Sequence, residues 1–206
     1  GALIPAVHGE RIALAKRAGH AIMALHDRNI LPRDIMTLEA FENAIAVDMA
    51  IGGSTNTCLH LPAIAREAGI VLGMDRFTGI AERTPHLTLL KPAGRFFAGD
   101  MYAAGGIPAL MNELNRNRLI HPDCMTVTGR TIAANIAGRN ILDPEVIHPV
   151  ANPISPRGGL AVLYALAGGV QRDRARAGLR GDQPPIGAIV QPQGVACHGV
   201  DRADVA

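Results

Sequence analysis

The chain has no tryptophan, and aromatic residues make up only 3% of its 206 positions. Stacking platforms for nucleic-acid bases need aromatic rings, so single-strand binding is not expected. It also lacks a dense basic face. Twenty Lys and Arg against 18 Asp and Glu leave a formal charge of +2, with no basic cluster that interleaves aromatics. That excludes an extended nucleic-acid footprint. No apolar run is long enough to span a bilayer, so no membrane partner is expected. The start of the chain shows no charged segment followed by an apolar one, the mark of a secretory leader. Cysteine is scarce as well. Cys58, Cys124 and Cys197 are odd in number and far apart. They suit reduced thiols in a cytoplasmic protein better than a disulfide framework. The first residue is Gly1 rather than Met, which reads as a processed chain or part of a longer one.

What the chain does have is apolar content, 48% of its residues, enough to bury a sizeable core. Its periodicity is mostly helical. Glu10 to Asn29 places Ile12, Ala15, Ile22 and Leu25 on one face, with Arg11, Lys16, Arg17 and Arg28 elsewhere as an exposed charge run. Thr37 is a helix cap ahead of Leu38 to Ile51. Thr55 to Ala68 follows, with Pro62 set to kink it or move its start. Asp75 caps a short helix to Arg83. His86 to Leu90 reads as a short strand and Lys91-Pro92-Ala93-Gly94 as a turn. Ile107 to Asn117 is a helix after Gly105-Gly106, Met125 to Thr128 a strand, and Thr131 to Ala137 a short helix. This order gives the α/β class, helix-rich with short strands between.

Residues 1–142 form one α/β unit in this reading. Asp143 to Gly159 carries Pro144, Pro149, Pro153 and Pro156, so 143–163 reads as an interdomain connection. Residues 164–206 change character. Small residues and Arg172, Arg174, Arg176 and Arg180 precede a Gln-, Pro- and Gly-rich stretch with little periodicity. A poorly packed tail is expected there.

The candidate site is Gly52-Gly53-Ser54-Thr55-Asn56-Thr57, between two helical patterns. Two glycines allow a tight turn and a close backbone approach. Ser54, Thr55 and Asn56 bring hydroxyl and amide groups to a helix start, where backbone N–H groups lack partners. Such a place suits a carboxylate or phosphate. The plainer reading is a turn followed by ordinary helix caps. Asp48, four residues before Gly52, is either tied to the loop or a solvated acid. His60, one turn after Asn56, reads as a packing residue. Glu39 and Glu42 read as a solvated face.

The run from Ala40 to Leu61 around this loop resembles the dihydroxy-acid dehydratase / phosphogluconate dehydratase family. So do Leu31 to Thr37, Arg83 to Leu87, Ala104 to Ala109 and Thr126 to Thr131, in the family's order. Together they cover about Gly1 to Leu163. Within the family, Asn56-Thr57-Cys58-Leu59-His60 looks more like the dihydroxy-acid version than the sugar-acid one. After Leu163 the resemblance stops at Tyr164 to Gly169.

The resemblance implies a hydro-lyase that turns a 2,3-dihydroxy acid into a 2-keto acid in branched-chain amino-acid synthesis. A sugar-acid (aldonate or phosphogluconate) dehydratase is the alternative. It implies an iron–sulfur cluster and Mg²⁺ in the full-length enzyme, with their ligands outside this chain, and a homodimer. It implies a small-molecule dihydroxy acid as partner, with Ser54, Thr55 and Asn56 as substrate contacts and Gly52 and Gly53 as the loop backbone. Neither catalytic nor metal residues are assigned within the chain, and Cys58, Cys124 and Cys197 read as ordinary thiols. A reading of another class is a non-catalytic truncated domain with no activity of its own.

Overall fold

A computed structural model describes residues 3–166, 169–171 and 186–190, with side chains as far as Val162. Eight helices run before the strands: α1 (Gly9–Asp27), α2 (Pro32–Ile35), α3 (Leu38–Ile51), α4 (Thr57–Glu67), α5 (Met74–Arg83), α6 (Ala98–Ala103), α7 (Gly106–Arg116) and α8 (Ile132–Ile136). The strands are β1 (Ala161–Leu166), β2 (Gly169–Gln171) and β3 (Ile186–Val190). The described residues are helix-rich.

The fold is organised around α3. The Thr37 hydroxyl accepts the Ala40 N–H at 3.3 Å and opens the helix, as its sequence predicts. Gly52, at φ +61°, closes it in the left-handed region. Between them, Phe41, Ile45, Ala46, Met49 and Ala50 are buried. Each fully buried side chain of the Ile or Met kind stabilises by about 1.5–3 kcal/mol relative to exposure. Phe77 and Ile80 of α5 and Leu110 and Leu114 of α7 complete the same core. Asn43 is buried among them, and both ends of its amide are used. Its Nδ2 donates to the His121 carbonyl at 2.9 Å, and its Oδ1 accepts the His121 N–H at 2.7 Å.

Several expectations are corrected. Of the α1 face expected to pack, Leu25 is buried, while Ile12 (68%), Ile22 (61%) and Ala15 are exposed. Leu25 is the buried residue of this helix, and partly buried Leu14 and Ala21 lie on the same side. The helix is apolar on both faces, so periodicity alone did not decide which one packs. Helix α4 starts at Thr57, not Thr55, and runs through Pro62. Gly73, not Asp75, is the cap of α5.

Neither 86–90 nor 125–128 forms a strand, and 127–128 belong to a turn closed by the Gly129 N–H on the Thr126 carbonyl. The two segments make single bridges, His86 to Ser155, Leu90 to Phe96 and Met125 to Thr131. The backbone of 86–87 is satisfied piecemeal instead. Leu87 N–H donates to the Ala50 carbonyl at 2.8 Å, and His86 N–H to Ser155 at 2.9 Å. A segment threaded between a helix end and a loop has no neighbour long enough for a ladder.

Residues 143–160 lie against the helices. Val146, Ile147 and Leu160 are buried, Gly158 N–H donates to the Ala81 carbonyl and Gly159 N–H to Met49, both at 2.8 Å. Strand β1 then pairs antiparallel with β2 on one side and β3 on the other, with Tyr164 opposite Gln171 and Leu163 opposite Ala188. Residues 169–171 and 186–190, within the stretch expected to be a tail, thus take part in strand pairing with β1. Arg172 to Arg180 and Cys197 lie outside the described residues.

Candidate functional site

The loop between α3 and α4 is built against two buried titratable side chains. Asp48 sits in the last turn of α3 and is 6% exposed. Its Oδ1 accepts the Ser54 N–H at 3.2 Å, and its Oδ2 lies 2.6 Å from the Thr57 hydroxyl. The Asp48 carbonyl accepts the Gly53 N–H at 3.0 Å. A Cβ on Gly53 would fall within 2 Å of Asp48 Oδ1 (1.9 Å), closer than any real contact. Gly53 is therefore needed by the carboxyl beneath it.

Gly52 faces the other group. A Cβ there would lie 2.4 Å from His86 Nε2, and its φ of +61° already favours glycine. On the far side, a Cβ on Gly159 would meet Gly52 Cα at 2.4 Å and the His86 ring at 3.0 Å. The imidazole thus sits against two glycine backbones. It is 6% exposed, and its Nδ1 has no hydrogen-bond partner among the described residues. Ile51, Gly52, His86, Thr88, Leu90 and Gly159 line a small crevice here.

Burial moves both groups towards their neutral forms. Loss of solvation pushes the Asp48 carboxyl up to about 6, against the pull of its bonds to Thr57 and Ser54. Loss of solvation pushes the His86 imidazole down. Asp48 is therefore neither a solvated acid nor a bystander; it is tied to the loop.

Ser54, Thr55 and Asn56 are exposed, and they project from the outer side of the same loop. Three of the backbone N–H groups expected to cradle an anion, those of Asn56, Thr57 and Cys58, are already paired. Asn56 N–H donates to Ser54 Oγ at 3.2 Å, Thr57 N–H to the Ser54 carbonyl at 3.1 Å and Cys58 N–H to Thr55 at 3.2 Å. Asn56 stands at the helix start with helical backbone angles and makes no side-chain cap. What the loop offers outward is its side chains: two hydroxyls and an amide. His60 is exposed on α4.

Glu42 is not part of a solvated face. Its carboxylate is 15% exposed and pairs with Arg76 and with His121 Nε2, the latter at 2.7 Å. These partners lie 34 and 79 residues away, so no local pattern could reveal them. Asp48 did carry a signal. An acid near a helix C-terminus opposes the helix dipole, and such a residue needs a tertiary reason.

The two described thiols do not make a cluster site. Burial pushes the Cys58 and Cys124 thiols up, towards the protonated form. Cys124 Sγ instead accepts from Asn43 Nδ2 at 3.5 Å. Among the described residues no three His, Cys, Asp or Glu side chains come together as a metal site. No described helix is long and apolar enough to cross a membrane.

The chain is similar to known proteins over the whole of this region. It is 58% identical to a dihydroxy-acid dehydratase of Moorella thermoacetica over 160 residues, 78% of this chain and 29% of that protein. It is 48% identical to a dihydroxy-acid dehydratase of Caldicellulosiruptor bescii over 192 residues, 93% of this chain and 32% of that one. A dihydroxy-acid dehydratase of Nitratidesulfovibrio vulgaris is 47% identical over 204 residues, 98% of this chain and 34% of the relative. The last two alignments extend beyond Leu163. The chain spans about a third of the length of these curated relatives. Residues 1–135 match the family model described as dihydroxy-acid/6-phosphogluconate dehydratase N-terminal. With more than half of its length covered by that match, the chain belongs to the dihydroxy-acid/6-phosphogluconate dehydratase family.

Proposed function

We propose that this chain is the part of a dihydroxy-acid dehydratase that supplies one wall of the substrate pocket, the outer side of the 52–57 loop. The observation that carries the reading is the 58% identity to a protein named dihydroxy-acid dehydratase, across the loop and its supporting helices. The complete enzyme removes water from a 2,3-dihydroxy acid and yields a 2-keto acid. It acts in branched-chain amino-acid synthesis in the cytoplasm, as a homodimer, and this chain belongs to its N-terminal α/β domain, with 143–163 leading towards a second domain.

The chemistry needs an electrophile to take the charge of the departing hydroxide, because hydroxide is a poor leaving group. It also needs a base for the C2 proton and a neutralising partner for the adjacent carboxylate. In the complete enzyme an iron–sulfur cluster and Mg²⁺, held by residues outside this chain, would supply the electrophilic part. The described residues of this chain fit neither group, since no three ligating side chains converge. The role left to them is binding. The Thr55 and Ser54 hydroxyls donate to carboxylate or hydroxyl oxygens of the acid, and the Asn56 amide both donates and accepts. None of the three carries a charge that would resist a polar ligand leaving water.

The test is keto-acid formation by a full-length protein carrying this sequence, given a branched 2,3-dihydroxy acid and, separately, an aldonic acid. Turnover of the branched acid is expected. Turnover of the aldonic acid alone would overturn the reading. The 206-residue chain by itself is expected to form no keto acid.

A further inference from the structure

We propose that Asp48 is the positioning residue of the substrate loop: its buried carboxyl sets the direction of Ser54, Thr55 and Asn56 by holding the Ser54 amide and the Thr57 hydroxyl. The proposal rests on the reading of the loop as a pocket wall.

The geometry assigns this role to one side chain. Its two oxygens hold the two ends of the loop, Ser54 N–H on Oδ1 at 3.2 Å and Thr57 Oγ on Oδ2 at 2.6 Å. Of the three candidate contact residues, Ser54 carries the first anchor and Thr55 and Asn56 lie between the two. Gly53 is sealed over the carboxyl, where a Cβ would fall within 2 Å of Oδ1 (1.9 Å). The loop therefore has little room to rise or slide without breaking one anchor.

The hydroxyl of Thr57 sharpens the case. It lies 2.6 Å from Asp48 Oδ2 and 2.6 Å from the Ser54 carbonyl oxygen. A hydroxyl has one proton to donate, so it cannot serve both acceptors fully. A protonated Asp48 resolves the conflict. It donates to Thr57 Oγ, and Thr57 donates to Ser54. Burial favours that form. An asparagine would make the same three bonds and would have no charge to desolvate. A buried acid opposed to the helix dipole is costly in stability, and costs of this kind cluster at functional sites.

The experiment uses a full-length family enzyme carrying these residues, with kcat, KM and melting temperature measured on each variant. Asp48→Ala is expected to lower kcat/KM about tenfold or more, and Asp48→Asn to restore it to within about threefold. Thr57→Val keeps the shape, removes the held hydroxyl and is expected to lower kcat/KM several-fold. If Asp48→Ala fails to fold, Thr57→Val against Asp48→Asn decides the matter. Parental kcat/KM in Thr57→Val, or a lower melting temperature in Asp48→Ala with parental kcat/KM, would overturn the proposal. A second arm separates this inference from the assigned reaction. In the 206-residue chain, the Ser54 amide nitrogen resonance is expected to follow the titration of Asp48 and to stay flat in Asp48→Asn. A flat Ser54 amide in the parent would overturn the proposal even if the dehydratase assignment stands. A titrating amide in a protein that dehydrates nothing would retire the reaction and keep the anchor.

Discussion

Two double-glycine turns in this molecule look alike in sequence and differ in what they pack against. Gly105-Gly106 leads into α7, and Gly52-Gly53 leads towards α4. At the first, Gly105 has φ +114°, and a Cβ there would lie 2.6 Å from Ala109 Cβ and 2.7 Å from the Asn140 carbonyl oxygen. Its neighbours are backbone and methyl groups, so this is a packing joint. At the second, the neighbours are a carboxyl and an imidazole. Both turns need glycine for steric reasons. One of them also holds two groups whose charge depends on pH. A Gly-Gly pair thus reports close approach, and the partner decides whether chemistry follows.

The largest effect separates the joints by substitution. Gly105→Ala combines backbone strain with an unyielding clash, and should cost about 3–5 kcal/mol whatever else is changed. Gly53→Ala clashes with the Asp48 side chain alone at close range and has no unusual φ. Removing that side chain should therefore relieve it. In denaturant titrations, Asp48→Ala with Gly53→Ala should be less destabilised than the sum of the two by about 1–3 kcal/mol. Strict additivity would mean that the glycine serves something other than the carboxyl. No second substitution is expected to rescue Gly105→Ala.

The next effect is pH dependence, which only the second joint should have. The folded pKa of Asp48, about 6, lies above its ordinary 3.8. The folded state thus holds a proton that the unfolded state has lost. Its contribution is fully present below pH 3.8 and is lost as pH rises through about 6. The loss amounts to up to about 3 kcal/mol at neutral pH. His86 runs the opposite way. Its pKa is pushed below 6.5, so its contribution is present above 6.5 and is lost as pH falls through its lowered value. Asp48→Asn should therefore raise the melting temperature at pH 7.5, with the gain shrinking to nothing near pH 3.5. An equal gain at both pH values would place the effect elsewhere.

The sequence made the local parts of this site legible and left the tertiary parts hidden. Thr37 and Gly52 bound α3 at the residues that their cap chemistry indicates, because capping is read within four residues. The ordered motifs identified the family before any contact was known. His86 is hidden in the sequence, because its neighbours Gly52 and Gly159 lie 34 and 73 positions away and an apolar run conceals a lone imidazole. Glu42 reads as a solvated acid for the same reason, its partner His121 lying 79 positions away. The strands expected at 86–90 and 125–128 failed because strand formation needs a partner, which propensity does not supply. Conversely, Ile186 to Val190 lies in a Gly- and Pro-rich stretch with little periodicity, and it pairs with β1.

The smallest structural effect, and the most direct test of the outer side of the loop, is Thr55→Val. Thr55 is exposed, and valine matches its shape without the hydroxyl. A surface change of this kind should alter stability by less than about 0.5 kcal/mol. If the hydroxyl meets the substrate, its loss should cost about 1.4 kcal/mol of transition-state binding, or about tenfold in kcat/KM. Gly105-Gly106 provides the control. Asn115→Ala, at the far end of α7 from that turn, should leave kcat/KM within about twofold in the same full-length enzyme. The two quantities must be read on the same preparation, because a destabilised enzyme also loses apparent activity. A stable Thr55→Val protein with tenfold lower kcat/KM separates the second joint from the first by function. A stable protein with parental kcat/KM would leave 52–57 as a turn that differs from 105–106 only in what lies beneath it.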